Sequence, residues 1–167
     1  MTLFSKAITD LASRIVIALA QNGQTVTTAE SCTGGLIAGA LTAIPGASDA
    51  VYGGFVSYAN AAKIAMVGVR QETLDVHGAV SEQIVREMAE GTLRAAKTDF
   101  AVAVTGIAGP EGGSEGKPVG LVYFALATPS RTLTRKWSFG NIGRNKVREL
   151  TVLTALEILN DVLQDRA

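Results

Sequence analysis

The chain has 167 residues, 47% apolar and 18% charged, with one cysteine, Cys32, and one histidine, His77. At that length about 68–70% of the unfolded surface is buried on folding, so no disulfide or metal staple is needed, and one domain over residues 1–167 is expected. Basic and acidic residues balance at 15 each, which argues against a nucleic-acid surface. A single His and Cys argue against zinc.

The first predicted element is a helix over residues 3–21. Its apolar positions Leu3, Ala7, Leu11, Ile15 and Leu19 recur at helical spacing with Phe4, Ile8 and Ala12 beside them, and Asn22-Gly23 stops it. The apolar run 15–20 inside it is too short to span a membrane. With the lone thiol, this suggests a cytoplasmic protein. Residues 25–30 read as a strand, and 34–44 as a helix of small residues ended by Pro45-Gly46. A strand over 50–58 and a short helix over 60–67 follow, whereas 71–77 is ambiguous. Ser81 suits the cap of a helix reaching about Lys97, with Glu82 in its first turn. Residues 99–104 form a continuous apolar run, as in a buried central strand. A loop over 106–116 follows, with glycines at 106, 109, 112, 113 and 116. Strands over 119–127 and 132–139 are linked by a turn containing Pro129, which favours an antiparallel pair. A helix from about 143 to 163 closes the chain. The order predicts one three-layer α/β domain: a mixed sheet with helices on both faces.

Four segments carry candidate chemistry. In Ala29-Glu30-Ser31-Cys32-Thr33-Gly34-Gly35 a strand gives way to a helix. Ser31 there could attack a carbonyl while backbone N–H groups from Thr33 to Gly35 hold the oxyanion. The plainer reading is that Ser31 and Thr33 cap the helix. Cys32 is the alternative nucleophile, but a buried thiol that only packs suits it better. In Tyr58-Ala59-Asn60-Ala61-Ala62-Lys63 the lysine could act as a base if burial lowers its pKa, with Tyr58 sharing the proton. A solvated lysine is the common alternative. The glycine-dense loop after the buried strand offers Thr105, Gly106, Gly109, Gly112 and Gly113 to a ligand, or is a mobile surface loop. Arg144 and Arg148 stand at a helix start, where positive charge opposes the helix dipole. A bound phosphate would relieve that conflict, although a solvated basic face fits equally. Asp75 and His77 supply the residue types of a triad with the serine. A surface or cap role suits that histidine better.

Together these segments, with the closing Phe139-Gly140-Asn141-Ile142-Gly143-Arg144 stretch, resemble the C-terminal domain of the competence/damage-inducible CinA family. The resemblance covers nearly the whole chain. It implies hydrolysis of nicotinamide mononucleotide to nicotinic acid mononucleotide and ammonia, in pyridine nucleotide recycling, with neither metal nor cofactor. It also implies Ser31 as nucleophile assisted by Lys63 and Tyr58. Asn60 lies close enough to share the polar work. The expected partner is a small nucleotide, with no nucleic acid and no membrane; self-association is left open. The rival expectations are a serine amidase of another small substrate and a non-catalytic nucleotide-binding module.

Overall fold

A computed structural model describes residues 3–165. Helix α1 (Lys6–Gln21) leads into β1 (Val26–Glu30), α2 (Leu36–Thr42) and a 3-10 turn, Ala47–Asp49. Strand β2 (Val51–Val56) is followed by α3 (Asn60–Val67), α4 (Gln71–His77) and α5 (Glu82–Ala96). Strands β3 (Phe100–Gly106), β4 (Leu121–Ala127) and β5 (Thr132–Ser138) precede α6 (Arg144–Gln164). The sheet order is β2-β1-β3-β4-β5. Strand β1 runs parallel to both neighbours, whereas β3–β4 and β4–β5 are antiparallel. The α/β architecture with a mixed sheet is therefore the one the element order implied.

The sheet separates two cores. One packs α1, α2 and α6 through Ile8, Ile15, Leu41, Leu156 and Leu159. The other packs α3, α4 and α5 through Val67, Leu74, Ile84 and Met88. Alternation along β1 assigns its side chains: Val26 joins the first core and Ala29 the second.

Several boundaries differ from the sequence reading. Helix α1 starts at Lys6 because Ser5 is extended (φ −62°, ψ 156°). Its buried stripe is Ile8, Leu11, Ala12, Ile15, Val16 and Leu19, whereas Leu3 is 84% exposed. The buried stripe keeps the expected Ile8, Leu11, Ala12, Ile15 and Leu19 and adds Val16, whereas Leu3 and Ala7 are exposed. Helix α2 starts only at Leu36, because Gly34 and Gly35 take left-handed φ values of 62° and 96° that a helix cannot contain. The ambiguous 71–77 segment is helical. Strand β3 continues through Thr105 and Gly106, which pair with Tyr123 and Val122.

This topology prepares a site. The three mutually parallel strands deliver their carboxyl ends to one edge of the sheet. From β1 the chain goes to β2 on one side and returns to β3 on the other. Its crossovers use opposite faces, so β1 is the switch point where α/β sheets leave a crevice.

Candidate active site

Ser31 follows the last residue of β1, and its N–H donates to Val104 O at 3.1 Å. Tyr58 follows β2 closely, and Thr105 and Gly106 end β3. These residues, with Cys32, Asn60 and Lys63, line a cavity of about 220 Å³ that Ala79, Val80, Ala108 and Arg144 complete. That volume suits a ring-sized group more than a whole nucleotide, since drug-sized pockets run from about 300 Å³ upward.

Lys63 is the centre of the site. It belongs to α3 and is only 1% exposed. Its Nζ lies 3.1 Å from Ser31 Oγ, 3.0 Å from Ser57 O and 3.0 Å from Tyr58 O. Among the described residues no carboxylate forms an ion pair with it. Burial therefore lowers its pKa, opposed only by the Cys32 thiol. Two carbonyls can only accept, so both take N–H bonds from Nζ. The third contact is to Ser31 Oγ: an ammonium donates to it, whereas a neutral amine turns its lone pair to it.

Tyr58 contributes differently from expectation. Its carbonyl, not its phenol, holds Lys63. The ring is 56% exposed, and the phenolic oxygen accepts from Arg144 at 3.0 Å. Arg144 also donates to Gly109 O at 2.9 Å, so it spans the cavity mouth from the glycine-rich loop to Tyr58. Thr105 Oγ1 donates to Ala79 O at 2.8 Å and ties down the wall made by Ala79 and Val80. Cys32 is buried, which pushes its thiol up to about 12 and leaves it protonated at neutral pH.

The structure thus brings Ser31, Lys63, Tyr58, Asn60, Thr105, Gly106 and Arg144 to one cavity. It does not bring Thr33, Gly34, Gly35, Gly112, Gly113 or Arg148 there, and Gly109 enters only through its bond to Arg144. Several of their polar groups are engaged elsewhere, although Arg148 Nε is buried without a hydrogen-bond partner among the described residues. Gly34 N–H donates to Ser31 O. Gly35 N–H and the Thr33 hydroxyl donate to Glu30. Arg148 donates to Thr33 O at 3.0 Å from behind the turn. The Gly34 and Gly35 N–H groups, expected to face an oxyanion, thus already have acceptors within the turn. Cys32 also lines the cavity, and its own backbone N–H interacts with its thiol. His77 ends α4 and opens onto a larger groove of about 440 Å³ beside Arg70, Arg86, Glu82 and Glu87. The charges there pair with one another, and no serine or cysteine lines the groove.

Sequence reasoning missed Val80, Ala108 and the Ser57 carbonyl, none of which carries a compositional signal. It also passed over Glu30 as a side chain, although a carboxylate ending an otherwise buried strand was visible.

A family model described as "CinA C-terminal domain" matches residues 8–163. The chain belongs to this family. Among its relatives is the Escherichia coli K12 protein named "Nicotinamide-nucleotide amidohydrolase PncC", 52% identical over 150 residues, 89% of this chain and 90% of that protein. A "CinA-like protein" of Prochlorococcus marinus is 45% identical over 93% of this chain but only 36% of its own length. In that relative the CinA domain is one part of a longer chain. A solved structure, the competence/damage inducible protein CihA of Agrobacterium tumefaciens, superposes with a TM-score of 0.95 at 52% identity, covering 98% of this chain and 99% of that one.

Proposed function

We propose that this CinA domain hydrolyses the carboxamide of nicotinamide mononucleotide, giving nicotinic acid mononucleotide and ammonia. The observation that carries the reading is a buried lysine, without a carboxylate partner among the described residues, hydrogen-bonded to a serine in a ring-sized cavity, in a chain half identical to a protein named for that activity.

Neutral Lys63 takes the Ser31 proton as Oγ attacks the carboxamide carbon. Cys32 N–H, one residue after the nucleophile, donates to the oxyanion, a position that serves similarly in other serine hydrolases. The protonated Lys63 then gives its proton to the departing nitrogen. The C–N bond breaks and ammonia leaves an acyl-Ser31 ester. Lys63, neutral again, takes a proton from water, the hydroxide attacks the ester, and Ser31 regains its proton as the acid departs. The ring and its amide fill the cavity, while the ribose phosphate extends to the mouth. Arg144 meets the phosphate there by exchanging its bonds to Gly109 O and Tyr58 for phosphate oxygens.

Ammonia release from nicotinamide mononucleotide tests this. Wild type releases ammonia, and folded Ser31→Ala falls by several orders of magnitude, the usual cost of losing a nucleophile. Release from other amides but not from this one would point to a different amidase. Binding without turnover would make the domain a nucleotide-binding module.

A further inference from the structure

We infer that Glu30 is the positioning residue of the nucleophile turn, with its buried carboxylate fixing Ser31 and the Cys32 N–H against the cavity. The inference rests on the reading of Ser31 as nucleophile.

Glu30 is fully buried, and among the described residues no cation forms an ion pair with it. Its two oxygens instead accept from five donors. Thr28 Oγ1 and Ala38 N–H reach Oε1 at 3.2 and 2.8 Å. Thr33 Oγ1, Gly35 N–H and Ile37 N–H reach Oε2 at 2.6, 3.0 and 3.0 Å. A serine or threonine cap would satisfy one such N–H. This carboxylate gathers the first turn of α2, the preceding loop and β1 onto two oxygen atoms, so the turn between them has one geometry.

The backbone of the same residue reaches the other side of the site. Glu30 O accepts from Ser57 N–H at 2.9 Å, and Ser57 O is one of the two carbonyls that hold Lys63. Strand alternation turns the Glu30 side chain towards α2 and leaves Ser31 facing Lys63 on the opposite side. One residue thus anchors the serine turn through its side chain and the lysine seat through its carbonyl. By filling the N–H groups at the start of α2, Glu30 also closes the usual anion seat of a helix N-terminus. The substrate phosphate is left to Arg144.

The test uses the full chain and nicotinamide mononucleotide. Glu30→Gln keeps the size but puts an amide NH₂ where only donors point, so at least one partner N–H loses its acceptor. The expected result is a fall in kcat of at least about 10-fold, in the range set by misplacing a reacting group, with KM nearly unchanged. The midpoint of the pH–rate limb stays put, because Glu30 does not contact Lys63. Should Glu30→Gln fold poorly, Thr33→Val removes a single donor and lowers kcat less, and Thr33→Ser recovers most of it. Folded Glu30→Gln with wild-type kcat, or with only a lowered Tm, overturns the inference. A displaced pH limb also overturns it, since Glu30 would then act through the charge of Lys63. Activity in Ser31→Ala instead overturns the nucleophile reading and leaves Glu30 nothing to position, so the two failures are distinct.

Discussion

Gly91→Ala should disable the site from the far end of α3. Gly91 lies in the middle of α5, where glycine costs roughly 1 kcal/mol against alanine, so a packing reason is expected. A Cβ there would stand 1.7 Å from Val67 O and 2.8 Å from Val67 C, backbone atoms that cannot rotate aside. Real Cβ contacts essentially never fall below 3.0 Å, so α3 must retreat by more than an ångström. Val67 is one helical turn beyond Lys63, and the lysine has three partners, all at 3.0 to 3.1 Å. A misplacement of about 1 Å typically costs about 100-fold in rate. Overpacking costs about 1–3 kcal/mol, and the gain in helix propensity offsets part of it. That is well inside the usual 5–15 kcal/mol stability margin, so the variant folds. Steady-state ammonia release should therefore show kcat down about 100-fold with a small change in KM, on the misplacement scale. The pH–rate limb should move upward, because a displaced Lys63 is wetter and its pKa returns towards the ordinary value. Full kcat in Gly91→Ala would refute the claim that α3 seats the lysine against this contact.

The two arginines should separate. Arg144→Ala removes a group at the cavity mouth and should raise KM for the mononucleotide by about 10-fold or more, since charge-assisted bonds of this kind contribute about 1.5–3 kcal/mol. It should also bring the mononucleotide level with the riboside. Arg148→Ala loses a bond behind the turn and should lower kcat or Tm without that change in preference, which competition between the two substrates would show. Cys32, with its thiol near 12, should resist iodoacetamide at pH 8 in the folded protein and react once the chain is unfolded. Mass spectrometry distinguishes the two, and rapid native labelling would contradict its burial.

The elements were legible where the chain is strictly patterned. Residues 60–67 and the Ser81 cap, which accepts from Ile84 N–H, follow the sequence reading closely. The start of the first helix was misread: Leu3 and Ala7 fit the helical spacing, but α1 begins only at Lys6 and both residues are exposed. Ser31 and Lys63 could be singled out because their segments resemble those of the CinA family; with 15 lysines and arginines in the chain, residue type alone left a solvated lysine the commoner reading. What each atom does could not be read. A phenol and a carbonyl on the same residue are identical in sequence, yet in Tyr58 they face different partners. The glycine-rich loop suggested a phosphate cradle by density alone. In the fold, the Gly120 N–H donates to Ile107 O, and Gly109 O accepts from Arg144. The part played by Glu30 depends on donors up to eight residues away, which only the close of α2 onto β1 assembles.

The central claim is that a neutral Lys63 takes the Ser31 proton, and the pH dependence of kcat on nicotinamide mononucleotide tests it most directly. Burial lowers the pKa of Lys63, and only the deprotonated form can accept the proton. Activity should therefore be low in acid, rise through one ionisation clearly below the ordinary lysine value of about 10.4, and level off above it. Lys63→Arg should lose the activity together with that limb, because a guanidinium stays protonated. An active Lys63→Arg protein with the wild-type profile would contradict the account.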